Sequence, residues 1–323
     1  MTGRPEAATA RRWYRHGLNR PLSWELVLRI TPRLPRFVLL PLHHVTTFVC
    51  MLCMPNECAA ARRNLERVSG ARGLAGLKLL YRLFHNFSRF MVTYAEMQGR
   101  GLDDFEDRLI DANDTATAIR AVLAEGRGAI LATMHIGQWD LGLKLLSRFD
   151  VPVHVVMLLR DPREVTRYAE EARSWNRLKV HQMGDSPLLA VQLMVALKRG
   201  EVVAIQIDRP VGPNVMRTDF FGAPTLLPTG PVMLALATGA PLLPVFVLFD
   251  RKDRFRVVSL PPMRFERDEA QDETLQTERA LRRLVEAMES IVSRYPDQWF
   301  NFYDVWPDSV REPTARSSPR RDA

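Results

Sequence analysis

An α/β fold with a mixed, largely parallel sheet flanked by helices is predicted by two observations. Five short β-rich runs, 129–133, 153–158, 202–207, 242–248 and 255–259, are separated by helical patterns near 140–149, 162–175, 187–199 and 230–238. Strands alternating with helices imply right-handed crossovers and a sheet covered on both faces, whose working residues gather at the carboxyl ends of the strands. A chain of 323 residues, 46% of them hydrophobic, is also long enough to bury the core that such a sheet needs. Gly-x-Gly-x-x-Gly and Walker-type phosphate loops are absent from the sequence.

The elements follow in chain order. Residues 1–20 carry Arg4, Arg11, Arg12, Arg15 and Arg20 with no apolar stretch and cleavage site directly behind them, so they form a basic N-terminal segment rather than a signal peptide. Residues 21–60 form an N-terminal helical element. Its most hydrophobic part, FVLLPLHHVTTFVCMLCM at 37–54, is interrupted by Pro41, His43 and His44, whereas a membrane span needs about 20 mostly apolar residues. Two readings stay open here: a monotopic helix dipping into one leaflet, or a buried helix of a soluble core.

Cys50, Cys53 and Cys58 are the three cysteines, an odd number that suits a reducing compartment. The spacing of Cys50 and Cys53 beside His43 and His44 permits a zinc site on paper, but thiols in an apolar run are expected as small buried hydrophobes, and no metal is expected.

From Asn64 to Met97 the pattern is helical, with Leu77, Leu80, Tyr81, Phe84, Phe87 and Met91 on one face and a loop expected around Gly70, Gly73 and Gly76. A helix at 114–125 should end at Gly126 and Gly128, and 272–294 reads as an amphipathic helix with Leu281, Leu284, Val285, Met288, Ile291 and Val292 inward. The tail at 311–323, ending in RSSPRRDA, is basic and expected to be disordered. The formal net charge of +8 and isoelectric point near 9.8 favour an anionic partner such as phospholipid, nucleic acid or an acidic protein.

The stretch LATMHIGQWDLGL at 131–143 carries the chemistry. The strand at 129–133 gives way to a helix from Leu141, so His135 and Asp140 lie in the connecting turn at a strand's carboxyl end. A neutral imidazole held by a carboxylate has a fixed tautomer, and its other nitrogen can take a proton from an alcohol. An aspartate at a helix start also serves as a simple cap, so spacing alone does not choose catalysis over capping.

HIGQWD resembles the H-x4-D/E signature of the lysophospholipid and glycerolipid acyltransferase superfamily, and more closely the bacterial lipid A secondary acyltransferase family, where H-x-G-N-W-E is usual. Three further stretches are similar to that family in the right order: ARRNLER at 61–67 to its A-x-x-N-L segment, LKRGEVVAIQIDRP at 197–210 to its basic-glycine block ending in D-Q, and DFFGAPTLLPTGPVMLALATGAPLLPVF at 219–246 to its F-F-G-x-P block. The resemblance runs from about Leu22 to Trp306. Gln138 stands where the family often has asparagine, Asp140 where glutamate is commoner, and Arg209 where glutamine is typical.

The resemblance implies a glycerolipid acyltransferase-like fold with an acyltransferase domain at 61–310, and a membrane-contacting role for 21–60. It implies transfer of a fatty acyl chain from a thioester, on acyl carrier protein or coenzyme A, to a hydroxyl of a lipid A-type or other glycolipid acceptor, without a cofactor. His135 is then the general base and Asp140 orients its ring. The resulting alkoxide-like oxygen attacks the thioester directly and expels a thiolate, whose thiol pKa of about 8.5 makes it a good leaving group. Backbone N–H groups around Gly137 are candidates for the oxyanion donors.

By the same resemblance Arg160 binds a phosphate or acidic head group, Asp208 positions, and Trp139 joins the substrate-binding set. Phe220, Phe221, Gly222, Pro224 and Thr225 form an acceptor-side loop. The expected setting is the cytoplasmic face of the inner membrane, on an anionic lipid surface, in lipopolysaccharide biosynthesis. The same fold acylating a lysophospholipid, an amino-acid lipid or a specialised metabolite is the alternative acceptor reading. A non-enzymatic basic protein for membrane or nucleic acid is the weaker one, since no aromatic-basic RNA motif or zinc module is present and no nucleic acid is expected.

Overall fold

The computed structural model describes residues 36–99, 103–158, 177–183, 186, 188–212, 214–251, 253–307 and 310. The basic segment at 1–20, Arg160, the helix expected at 162–175 and the tail at 311–323 lie outside them.

Three helices come first: α1 (Arg36–Cys53), α2 (Pro55–Ser69) and α3 (Gly73–Gly99). Proline at the first position of α2 costs no hydrogen bond, because that N–H has no intrahelical partner. The glycine-rich loop expected at 70–76 is shorter than the composition suggests, and α3 already begins at Gly73. The periodic face of α3 buries Leu80 and Phe84, while Leu77 stays open to solvent. Helix α1 lies along α3 with His43 and Thr47 buried, whereas Val45, Phe48, Val49 and Leu52, at spacings of three and four, are 50–67% exposed. Cys53 is exposed and Cys50 and Cys58 are half-buried, which corrects the reading of all three thiols as core. Among the described residues no helix is long and apolar enough to cross a membrane.

The seven-stranded sheet comprises β1 (Leu109–Ile110), β2 (Ala129–Thr133), β3 (Val153–Met157), β4 (Leu178–Gln182), β5 (Val202–Gln206), β8 (Leu242–Phe249) and β9 (Phe255–Ser259), in the spatial order β1-β9-β8-β2-β5-β3-β4. Strands β8, β2, β5, β3 and β4 are mutually parallel, and β9 runs antiparallel to β8, so the sheet is mixed and mostly parallel, as the alternating pattern predicts. Between β1 and β2 lies α4 (Ala112–Leu123), and α5 (Trp139–Leu146), α6 (Leu189–Lys198), α7 (Gly230–Thr238) and α8 (Glu273–Arg294) complete the helices used below. Central β2 reads as a continuous apolar run because both its faces are covered. Ile130 and Ala132 join α6, α7 and α8 on one side, and Ala129 and Leu131 join α4 on the other.

Three parts of the sheet structure escaped the pattern, the first being the two-residue edge strand β1, too short to carry a periodicity. Strand β4, LKVHQ, lies at the sheet edge with Lys179 exposed, and a polar edge strand lacks the apolar signature of the centre. The block read as an acceptor-side loop is instead a tight antiparallel hairpin, β6 (Val215–Phe220) with β7 (Ala223–Pro228). Phe221 and Gly222 both have positive φ, 50° and 67°, the backbone that two-residue hairpin turns require. Pro224 and Pro228 hide the second strand from a sequence reading, yet a two-stranded ribbon leaves edge positions where no N–H is needed. Phe220 is fully buried and stacks on Trp306, and the Phe221 N–H donates to the Glu289 carboxylate of α8. The hairpin is thus clamped to the body of the fold.

Candidate functional site

His135 and Asp208 meet because two neighbouring strands are in register. Thr133 of β2 pairs with Gln206 of β5, and each chain then runs two residues further to His135 and to Asp208. The carboxyl ends of adjacent parallel strands are where side chains from both can converge. The His135 ring Nδ1 lies 2.8 Å from Asp208 Oδ1, and the His135 backbone N–H donates to both carboxylate oxygens at 3.2 Å. Asp140, the partner that motif spacing suggests, is buried in the first turn of α5. The hydrogen bond at Nδ1 is made with Asp208.

Asp208 is 1% exposed and collects two more donors, Trp299 Nε1 at 3.0 Å and Asn301 Nδ2 at 3.1 Å. Four N–H groups pointing at one carboxyl demand an acceptor on every side, which only the ionised form offers. Burial pushes the acid up, but attraction and hydrogen bonding from His135, the Arg209 guanidinium and Asn301 outweigh it and hold Asp208 below the ordinary carboxylate range. For His135, burial and then the Arg209 charge lower the pKa below the ordinary 6.5, with Asp208 opposing in part. At neutral pH the pair is a carboxylate accepting from Nδ1–H of a neutral imidazole. The lone pair on Nε2 is left to act as a base.

The turn after His135 is anchored at each step. Gly137 has φ of 59°, and a Cβ there would overlap the Val247 carbonyl oxygen of β8 and come within 2.9 Å of Leu248 Cα. The backbone N–H groups of Ile136, Gly137 and Gln138 donate to the carbonyls of Met134, Gln298 and Val247 at 2.8, 3.0 and 2.7 Å. These three donors are therefore engaged within the protein. A positive charge is nearby in Arg209, which donates to Asn301 Oδ1 at 3.1 Å and the Phe300 carbonyl at 2.9 Å.

Trp139 opens α5 and gives the imidazole an apolar neighbour. Its ring meets that of His135 edge-on with centroids 5.5 Å apart, stacks on Phe90 of α3 at 4.1 Å and lies 6.1 Å from Phe300. Phe221 and Gly222 form the hairpin turn described above, where the Phe221 N–H meets Glu289 of α8 and its ring meets Trp306 edge-on.

Sequence reasoning missed Trp299 and Asn301. They belong to the segment 298–306 after α8, which passes beside the His135 turn: Ile136 pairs with Trp299, and the Phe300 N–H donates to the His135 carbonyl at 2.8 Å. The available signal was the amides Gln298 and Asn301 set among Trp299, Phe300, Phe302 and Trp306, since amides inside an aromatic run must find partners. Asn64, in the ARRNLER stretch, holds this segment in place. Its Nδ2 donates to the carbonyls of Asn301 and Tyr303 at 3.0 and 2.7 Å, and its Oδ1 accepts from the Val305 N–H at 3.3 Å. Asn64→Ala leaves these buried backbone groups unpaired and is expected to lower stability by about 2–4 kcal/mol in a urea titration.

Comparison with known proteins gives the chain a family. A model of the bacterial lipid A biosynthesis acyltransferase family matches residues 23–307. Phosphatidylinositol mannoside acyltransferase of Mycobacterium tuberculosis is 32% identical over 196 residues, 58% of this chain and 60% of that protein. The protein of the same description from a second strain is 34% identical over 147 residues, 45% of each chain. Its counterpart from Mycolicibacterium smegmatis is 32% identical over 133 residues, 40% of this chain and 43% of the other. The matches span less than two thirds of the length of each of these curated relatives.

Proposed function

The chain belongs to the bacterial lipid A biosynthesis acyltransferase family, and on that premise we propose that it is a membrane-associated O-acyltransferase acting on a glycolipid. The observation that carries the reading is the His135 ring fixed through Nδ1 by buried, four-fold hydrogen-bonded Asp208. With that tautomer set, Nε2 accepts the proton of an acceptor hydroxyl while the oxygen attacks the thioester of acyl carrier protein or coenzyme A. The tetrahedral intermediate collapses to the ester and a thiolate, which takes up a proton. Asp208 stabilises the imidazolium formed on the way.

Arg209, close enough to depress the His135 pKa, is assigned to the negative charge that develops on the thioester oxygen. Trp139 with Phe90 and Phe300 supplies an apolar wall for the acyl chain. Motif spacing also assigns Asp140 to the imidazole; the Nδ1 bond to Asp208 is the tighter constraint on the ring. Arg160 keeps its assignment to an acidic head group, and the hairpin tip at Phe221 and Gly222 its assignment to the acceptor side. The open apolar stripe of α1 favours a helix lying on the cytoplasmic leaflet of the inner membrane.

The relatives named above act on phosphatidylinositol mannosides, so such a lipid is the first acceptor to try beside a lipid A precursor. Purified protein is incubated with acyl carrier protein or coenzyme A thioesters and each acceptor, with free thiol and lipid mass both followed. The expected result is acceptor-dependent thiol release and one added acyl chain on one glycolipid. Acylation of a lysophospholipid instead would overturn the glycolipid assignment, and no thioester consumption with any acceptor would overturn acyl transfer.

A further inference from the structure

A second polar site lies beside the catalytic turn and has no part in the chemistry above. It is a cleft of about 310 Å³ lined by Arg82, His85 and Arg89 of α3, by Asp250 and Arg251 after β8, and by Asp297. That volume sits near the low end of small-molecule sites, roughly 300–1,000 Å³. Three guanidinium groups face two carboxylates in the cleft wall, and Arg89 also lies 4.0 Å from the Asp253 carboxylate beside it. Arg82 pairs with Asp297 at 3.2 Å, and Arg89 lies over the Phe249 ring and donates to the Asp250 carbonyl at 3.1 Å. Arg251 is exposed and makes no ion pair among the described residues. Burial raises the Asp297 acid above the ordinary carboxylate value, with Arg82 and Arg89 opposing in part.

The surroundings narrow the ligand. His85 touches His44 of α1, with ring centroids 4.7 Å apart, and His44 begins the exposed stripe that continues through Val45, Phe48, Val49 and Leu52. Burial and the neighbouring histidines and Arg89 bring the His85 pKa down to about 4, so the cleft owes its positive charge to arginine at neutral pH. An arginine-lined cleft continuous with an apolar helix face matches a molecule with a phosphate at one end and hydrocarbon at the other. We propose that this cleft holds the phosphate of a membrane lipid head group while the acyl chains of that lipid run along α1. Guanidinium forks suit phosphate oxygens, and the cation over Phe249 is already oriented. Gln298 forms a wall of the cleft, and its carbonyl receives the Gly137 N–H, so the phosphate is held one chain crossing from the catalytic turn.

The inference rests on the membrane-facing reading of α1 and not on acyl transfer. Vesicle binding therefore tests it without an activity assay. The full chain is sedimented with phosphatidylcholine vesicles containing phosphatidic acid, and with vesicles containing oleic acid at the same surface charge. Arg82→Gln with Arg251→Gln is expected to weaken binding to the phosphatidic acid vesicles about tenfold and to the oleic acid vesicles much less. The matched double variant Arg279→Gln with Arg282→Gln, on exposed positions of α8, controls for net charge, and Arg251→Gln alone reports on the cleft if the pair perturbs folding. Equal losses for cleft and control variants, or on both vesicle types, would overturn the phosphate site. Undiminished binding of Phe48→Asp with Leu52→Asp would overturn the membrane reading of α1 itself, as would a wild-type chain that binds neither vesicle.

Discussion

Asp208→Asn lowers the acyl transfer rate by about 10³-fold or more while the chain still folds, as measured by single-turnover assay beside a denaturant titration. An asparagine at this position keeps one acceptor oxygen but turns a donor toward the ring or toward Trp299 Nε1. With a donor facing it, Nδ1 must accept, the ring proton moves to Nε2, and the base is occupied. His135→Ala removes the base altogether and is at least as severe. Asp140→Asn is expected to cost less than Asp208→Asn, because the Nδ1 bond stays intact.

The pH profile carries the same assignment with a definite sign. Activity needs neutral His135, whose pKa lies below 6.5, so kcat/KM stays level as pH falls through 6.5 and declines only at more acid values. Asp208 raises the His135 pKa, so the residual activity of Asp208→Asn has its acid limb displaced further toward low pH. An unmoved limb would show that another group is the base.

Gly137→Ala is the second large effect, and it acts through the backbone. The substitution places a methyl group on the Val247 carbonyl oxygen, at a φ that alanine disfavours. Backbone on both sides cannot yield as a flexible side chain would. The expected loss is about 3–5 kcal/mol of stability in urea, with activity lost in whatever fraction remains folded. The Gly137 N–H bond to Gln298 and the Gln138 N–H bond to Val247 would shift together, and they fix the turn that carries His135. Near-normal stability in this variant would mean that the turn relaxes freely and that the close approach of β8 has no structural weight.

The sheet was legible in the sequence where burial is two-sided. Strands β2, β5 and β8 are written as apolar runs, and their parallel pairing follows from the helices between them. Edge strand β4 and the proline-bearing hairpin were not legible, because their backbones are satisfied without the apolar signature of the centre. His135 could be named from HIGQWD, and Asp208 from the block that ends IQIDRP. Their partnership could not, because β3 and β4 separate β2 from β5 in the chain while β5 lies beside β2 in the sheet. Nothing in local spacing carries that order. Trp299 and Asn301 were hidden for the same reason: their contacts with Asp208 close over about ninety residues, and only the folded register makes them.

The late position of the segment 298–306 gives the base a built-in timing. His135 leaves the ribosome well before the residues that complete the surroundings of Asp208, and N-terminal parts of a chain begin to fold as they emerge. Until Trp299 and Asn301 arrive and Asn64 clasps the passing strand, the carboxylate lacks two of its donors and the ring lacks its full constraint. A nascent chain thus holds the imidazole with the carboxylate still incompletely braced. The bracing of the His135–Asp208 pair is completed by residues that come late in the chain.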